Sequence, residues 1–184
     1  MAFLSSECEP WAKTGGLADV VDALARAIGG LGDDAIDGPV DVFLPRYRGV
    51  PEPRPDAVLA DTTVAVPDPR SVAGSSEVTV IDVAADGYRL RLVDHPPAFD
   101  RAGYYGDEAG DYADNAWRFG LYVRAALETM RAGSMIVTEP RPSTLSSSCR
   151  PCGPSSWVIT AHVSSSTPMP RSCGLWDTII SNRP

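Results

Sequence analysis

The first fifty residues place one amphipathic segment between two short apolar runs. Residues 2–5 are largely apolar and predict a strand, and a loop that contains the pair Gly15-Gly16 follows it. Between residues 17 and 28 apolar side chains recur at spacings of three and four, which is typical of a helix with one apolar face. Residues 40–44 are mostly apolar and predict a second strand. Together these elements predict one right-handed βαβ unit with parallel strands.

Alternating patterns predict further strands downstream. A turn signal, Asp86-Gly87, separates two segments of apolar and polar alternation, which is typical of a hairpin. The sequence therefore predicts a β-hairpin insertion near residues 78–93. Strands are expected over residues 62–66, 78–83 and 88–93.

A long aromatic and acidic loop is expected over residues 96–114, followed by a second helix. Asp114 is a residue type that caps helix starts, and apolar side chains from Phe119 to Met130 follow it at spacings of four, four and three. The helix is expected to end near Gly133. Loops as long as 96–114 inside a compact domain are commonly functional.

Composition divides the chain at about residue 135. Residues 1–135 hold 12 Lys+Arg and 22 Asp+Glu, whereas residues 136–184 hold 4 and 2 and are rich in Ser, Pro and Cys. In the second part only residues 157–159 and 175–180 have patterns compatible with strands. We therefore predict an α/β fold in which residues 1–135 form a Rossmann-like domain around a parallel sheet, and residues 136–184 form a poorly ordered tail.

Charge and hydropathy exclude several classes of function. The formal net charge of −8 opposes a general affinity for nucleic acid or for an anionic membrane. No apolar run approaches the roughly 20 residues that a spanning helix needs. The amino terminus has no basic region before its apolar run, which indicates a cytoplasmic protein.

The loop before the first predicted helix carries the most informative chemistry. It places Lys13, which is the only lysine of the chain, beside Gly15 and Gly16 at the point where a strand ends and a helix begins. Such a loop binds phosphates, because glycines let a ligand approach the backbone and the helix amides point at it. The spacing alone leaves a second interpretation open, in which the glycines form a tight turn and Lys13 is a solvated surface residue.

Four collinear segments carry a resemblance to a known family. Residues 5–21 (Ser-Ser-Glu-Cys-Glu-Pro-Trp-Ala-Lys-Thr-Gly-Gly-Leu-Ala-Asp-Val-Val) strongly resemble the start of bacterial glycogen synthases and plant starch synthases. Residues 41–47 (Asp-Val-Phe-Leu-Pro-Arg-Tyr) resemble the second strand of that family and the segment after it. Residues 94–107 resemble its acceptor-side and substrate loop, and residues 112–119 the start of its next helix. Four matches in the same order over about 130 residues make a coincidence improbable.

The resemblance implies a GT-B fold, in which two Rossmann-like domains face a cleft. It implies transfer of glucose from ADP-glucose to the non-reducing end of an α-1,4-glucan with retention of configuration, and it implies neither a metal nor another cofactor. Lys13, Gly15 and Gly16 would contact the sugar nucleotide, Asp19 would lie near the same site, and Tyr105 would contact the substrate. From the residues alone, Asp19 is explained equally well by the helix dipole, and Tyr105 by packing on the domain surface.

The chain also departs from the family. After Ala132 the family continues into a strand and a His-Asp-Trp motif, which is absent here, and His162 does not fit that motif. The second domain is missing as well, so no catalytic residue is assigned and the chain alone is expected to be inactive. His95 is interpreted as a structural residue, and Asp114 with Asn115 as a helix cap.

Three alternatives remain open at this stage. The chain could be a non-catalytic module that binds a sugar nucleotide or a glucan, or a non-functional gene fragment that aggregates through exposed apolar surface. The tail could instead hold a metal, because a C-x-x-C motif, a histidine and a further cysteine supply four candidate ligands. The sequence determines neither the oligomeric state nor, without the resemblance, the donor nucleotide. The four candidate ligands are Cys149, Cys152, His162 and Cys173.

The change of composition near residue 135 leads to the hypothesis that the tail is an out-of-frame or otherwise aberrant extension of a truncated gene. Reading the genomic DNA past codon 135 in all three frames is expected to show a second frame that continues into the His-Asp-Trp motif. An intact frame with this same tail in related genes would instead support a separate binding module or a relic.

Overall fold

The computed structural model describes residues 1–32, 36, 38–135 and 158–160, and these form a mixed α/β fold. Three helices are present in this part of the chain: α1 (Gly16–Gly29), α2 (Pro96–Phe99) and α3 (Asn115–Met135). The strands are β1 (Ala2–Leu4), β2 (Asp41–Pro45), β3 (Val58–Pro67), β4 (Ser75–Ala84), β5 (Arg89–Asp94), β6 (Gly106–Asp107), β7 (Gly110–Asp111) and β8 (Val158–Thr160).

Six strands form one sheet in the order β3-β4-β5-β2-β1-β8. The pairs β5-β2, β2-β1 and β1-β8 are parallel, whereas β3-β4 and β4-β5 are antiparallel. The predicted βαβ unit is confirmed, since β1, α1 and β2 follow one another and Phe3 lies opposite Val42. The predicted hairpin is also confirmed, although its second strand, β5, is itself part of the parallel sheet.

The parallel strands are apolar because both faces of the sheet are covered. Val42 and Leu44 on one face and Phe43 on the other have no exposed surface, and neither do Leu90 and Leu92, which pair with Val42 and Leu44. Helix α1 faces the core with Ala18, Val21 and Ala25. Two larger apolar residues of the predicted stripe do not face the core: Val20 is 61% exposed and Leu24 is 40% exposed.

Helix α3 is anchored to the carboxyl ends of β1 and β2. The hydroxyl of Tyr122 donates to the carbonyl oxygen of Phe43 at 2.8 Å, with the carbonyl of Ser5 at 3.1 Å. Asp114 precedes the helix as predicted, but its carboxylate binds the guanidinium of Arg101, with both distances at 2.7 Å, rather than a helix amide. This ion pair holds the pKa of Asp114 below its usual value.

The loop predicted over residues 96–114 contains short regular elements that the sequence pattern did not reveal. Helix α2 and the two-residue strands β6 and β7 lie within it. Elements this short have no periodicity to detect. Strand β8 agrees with the pattern at residues 157–159, whereas the pattern at 175–180 and the rest of the tail lie outside the described residues.

No helix in the described ranges is both long enough and apolar enough to cross a membrane.

A glycine contact between α1 and the β4-β5 turn generates a testable prediction. A Cβ on Gly29 would clash with the carbonyl oxygen of Gly87, whose positive φ of 83° fixes that turn. We expect Gly29→Ala to lower the free energy of unfolding by about 2 kcal/mol, because backbone must move to admit the methyl group. Urea unfolding followed by circular dichroism measures the change.

The matched control for this prediction is Gly120→Ala in α3. A Cβ at position 120 meets no atom within 4 Å, so alanine should raise stability by up to about 1 kcal/mol through its higher helix propensity. Equal effects of the two substitutions would contradict the proposed contact.

Candidate functional site

Two loops meet at the carboxyl edge of the parallel strands. The first, here called the glycine loop, is residues 13–16, which lead from β1 into the first residue of α1. The second, the aromatic loop, is residues 103–112 between α2 and α3. They are joined by the hydroxyl of Tyr105, which lies 2.9 Å from the Ser6 hydroxyl and 2.7 Å from a carboxylate oxygen of Glu7. The carboxyl edge is where ligands bind in open α/β sheets.

Glu7 is an internal anion beneath the glycine loop. The residue is only 4% exposed, and its Oε2 accepts the backbone N–H groups of Thr14 at 2.7 Å and Gly15 at 3.2 Å. Its Oε1 accepts the Thr14 hydroxyl at 2.6 Å. Burial opposes ionisation, but the hydrogen bonds from Thr14, Tyr105 and Gly15 outweigh it and lower the pKa of Glu7. The carboxylate therefore holds the loop in one shape.

The two glycines of the loop are not required by packing among the described residues. A Cβ placed on Gly15 or on Gly16 meets no atom within 4 Å. Gly15 has a φ of −155°, which any residue adopts. The space above both residues is thus open, as the approach of a ligand to the backbone requires.

Lys13 and Asp19, which the sequence assigned to one site, do lie together. The Lys13 ammonium is 2.6 Å from Asp19 Oδ1 and 3.2 Å from Glu9 Oε2. The hydrogen bond to Asp19 is the main cause of the raised pKa of Lys13. With Glu7, the loop and its surroundings hold three carboxylates and one ammonium, so the site carries net negative charge.

Tyr105 turns its hydroxyl inward. Its carbonyl oxygen accepts the side-chain amide of Asn115 at 2.8 Å, and its ring lies 6.0 Å from that of Phe119. Burial raises the pKa of the Tyr105 phenol. The hydroxyl of Tyr105 is therefore already engaged by Ser6 and Glu7.

A sequence profile of the starch synthase catalytic domain matches residues 1–143. The chain belongs to the starch synthase catalytic domain family.

Related proteins agree with this assignment. The glycogen synthase of Koribacter versatilis is 40% identical over 140 residues, and that of Roseobacter denitrificans is 38% identical over 134 residues. These alignments cover 76% and 72% of this chain, which spans 26% of the length of each relative. The catalytic domain of starch synthase IV from Arabidopsis thaliana, solved with ADP and acarbose, matches with a TM-score of 0.55 and 26% identity, over 72% of this chain and 25% of that one.

Three residues that the sequence analysis left without a functional role differ in where the structure places them. Glu7 lies in the segment that carries the resemblance, and its position between a strand end and the glycine loop is the signal that could have identified it. Asn115, interpreted as a cap, instead joins Tyr105 to the guanidinium of Arg118, which donates to Asn115 Oδ1 at 3.1 Å. His95 lies at the start of α2, where its carbonyl accepts the amides of Ala98 and Phe99.

The metal alternative falls mainly outside the described residues. Within residues 1–32, 38–135 and the short strand at 158–160, no three metal-binding side chains come together. The four candidate ligands of the tail lie beyond those ranges. Cys8, by contrast, is a buried free thiol whose pKa is raised by burial to about 11, so it is not reactive at neutral pH.

The buried carboxylate of Glu7 generates a prediction with a pH signature. We expect Glu7→Gln to lower the free energy of unfolding at pH 7 by about 2 kcal/mol. Glutamine puts an NH₂ donor where one carboxylate oxygen accepted, so this donor would face other donors. The folded-state pKa of Glu7 is depressed, so its contribution is present above the ordinary pKa of 4.5 and is lost as the pH falls through the lower value. Urea unfolding of the parent chain and of the variant should therefore show a smaller difference in free energy of unfolding in acid than at pH 7.

Glu77→Gln on β4 is the matched control, because Glu77 is exposed. It should change stability by less than about 0.5 kcal/mol at either pH. A Glu7→Gln effect of equal size at both pH values would show that the charge of Glu7 is unimportant.

Proposed function

We propose that this chain is the N-terminal part of a GT-B glucosyltransferase that moves glucose from ADP-glucose to the non-reducing end of an α-1,4-glucan. The observation that carries the proposal is the open space above Gly15 and Gly16, at the carboxyl edge of a parallel sheet in a starch synthase-family domain. The Arabidopsis starch synthase IV domain was solved with ADP, which contains the diphosphate that such a donor would carry.

The geometry limits which groups can hold that diphosphate. The amides of Thr14 and Gly15 already donate to Glu7, so the phosphates would use the amides of the first turn of α1, from Gly16 onward. Backbone amides at a helix start favour anions. In this proposal Gly15 and Gly16 admit the phosphate, Lys13 offsets its charge, Asp19 orients Lys13, and the ring of Tyr105 contacts the sugars.

The acidic character of the site predicts weak donor binding by the chain alone. Lys13 is already paired with Asp19 and Glu9, and its ammonium must be shared with the diphosphate. Cationic groups of a second domain would supply the remaining charge and would exclude water from the reacting centre. We therefore propose that the chain binds ADP-glucose and glucan without transferring glucose.

The second candidate is a binding module that was never catalytic. The absence of a His-Asp-Trp motif from the sequence favours it, since His95 and His162 are the only histidines. The two candidates differ in one measurable respect: only the first predicts transfer when the chain is joined to the remainder of a related glycogen synthase.

The role of the glycine loop is tested by Gly16→Ala. Calorimetric titration of the purified chain with ADP-glucose should show weak binding, and the substitution should reduce the affinity at least about tenfold because a methyl group fills the approach to the helix amides. Its stability should stay within about 1 kcal/mol of the parent chain, since the Cβ meets no atom of the described fold.

Gly120→Ala serves as the control here too, because position 120 lies on α3 and its Cβ is equally unobstructed. It should leave the affinity unchanged. Unaltered binding by Gly16→Ala would remove the glycine loop from the donor site.

A further inference from the structure

We propose that Glu7 is a positioning residue that couples the glycine loop to the aromatic loop, so that a ligand on one loop alters the other. The coupling itself is a property of this chain and holds whatever the ligand is. Its consequence for donor and glucan rests on the proposed function.

The two oxygens of the Glu7 carboxylate accept hydrogen bonds from different sets of donors in the two loops. Oε2 accepts only from the glycine loop, through the amides of Thr14 and Gly15. Oε1 accepts from both loops, because the hydroxyls of Thr14 at 2.6 Å and Tyr105 at 2.7 Å converge on it. A shift of either hydroxyl changes the charge density available to the other donors, as in any network that shares one buried charge.

The aromatic-loop end of this network is fixed to the rigid part of the fold. The Tyr105 carbonyl accepts from the Asn115 side chain at 2.8 Å and from the Tyr112 amide at 2.9 Å. Asn115 in turn is held by Arg118, which is fully buried with its guanidinium 5.2 Å from the ring centre of Phe99. Motion of the aromatic loop therefore reaches Glu7 mainly through the Tyr105 ring and hydroxyl.

The glycine-loop end is the less constrained one. A Cβ on Gly15 or Gly16 would meet no atom, so at Thr14 and Gly15 the backbone is oriented by the two amides on Oε2 and by the Thr14 hydroxyl. Hydrogen bonds to a charged acceptor are stronger than neutral ones, which makes this an effective anchor. A glucan that packs on the Tyr105 ring would thus shift the backbone of Thr14 and Gly15, which leads directly into the α1 amides proposed to face the donor, and the reverse follows by linkage.

Amide hydrogen exchange in the full 184-residue chain tests the coupling without any ligand. Tyr105→Phe removes a hydroxyl from one loop, and the exchange of the Thr14 and Gly15 amides in the other loop should become at least about threefold faster. Tyr112→Phe is the matched control, since it removes a hydroxyl that accepts the Gly103 amide at 3.2 Å and belongs to the same aromatic loop. Tyr112→Phe should leave the exchange rates of the Thr14 and Gly15 amides unchanged. Neither variant should change the exchange rates of the β2 amides.

The reciprocal experiment uses a spectroscopic signature and a conservative rescue. Thr14→Val removes the second hydroxyl from Oε1 and should shift the NMR resonance of the hydroxyl-bearing ring carbon of Tyr105, whereas Thr14→Ser should restore it. A role of Thr14 in packing alone would not distinguish serine from valine in this way. This variant also keeps the proposal testable should Tyr105→Phe fail to fold.

Unchanged exchange at Thr14 and Gly15 in folded Tyr105→Phe, or equal Tyr105 resonances in the valine and serine variants, would overturn the coupling. Titration with ADP-glucose separates this result from the proposed function. If the parent chain binds ADP-glucose, Tyr105→Phe should lower the affinity at least about threefold and Tyr112→Phe should not. If the parent chain shows no binding, the donor assignment fails, and the exchange data alone decide the coupling.

Discussion

The buried carboxylate of Glu7 is the group on which the shape of the candidate site depends. An anion placed beneath the start of α1 satisfies the amides of Thr14 and Gly15 just before the helix, and it is stabilised there by the helix dipole. The chain thereby obtains an ordered glycine loop before any ligand is present. The same arrangement makes the surroundings acidic, because Glu7, Glu9 and Asp19 outnumber the single ammonium of Lys13. The carboxylate that orders the glycine loop therefore also weakens the electrostatic attraction of the site for phosphate.

Much of the fold follows from local patterns, and the exceptions are instructive. The period of residues 17–28 located α1, and the Asp-Gly pair located the turn between β4 and β5, because both signals lie within one element. The four-residue helix α2 is too short to have a period. The buried side of α1 was not evident either, since the small residues Ala18 and Ala25 are buried, whereas Val20 is larger and exposed. Ranked by hydrophobicity alone, Val20 would be expected to be more buried than Ala18 or Ala25.

The site was predictable only in part, for a similar reason. Lys13 and the glycines adjoin in sequence, so spacing could place them together, but the contact between Glu7 and Tyr105 spans 98 positions. No local pattern predicts such a pair; the family resemblance assigned Tyr105 to the site but not its partner. The roles of the glycines could not be predicted from local sequence patterns either. Gly29 and Gly16 look alike in the sequence, and only the structure shows that the first is required by the Gly87 backbone while the second faces open space.

Under the proposed function, these constraints bear on how one side of a two-domain cleft would take part in glucosyl transfer. A diphosphate that approaches α1 must share Lys13 with two carboxylates, so its binding energy from this side comes mainly from backbone amides and shape. Amides are neutral and directional, which suits them to orienting a leaving group, whereas charge compensation can be added when the cleft closes. A site of this kind would bind the diphosphate weakly while the cleft is open and strongly only when the cleft has closed. In a transferase this favours reaction over loss of the activated sugar to water, because the electrostatic stabilisation appears at the same time as water is excluded.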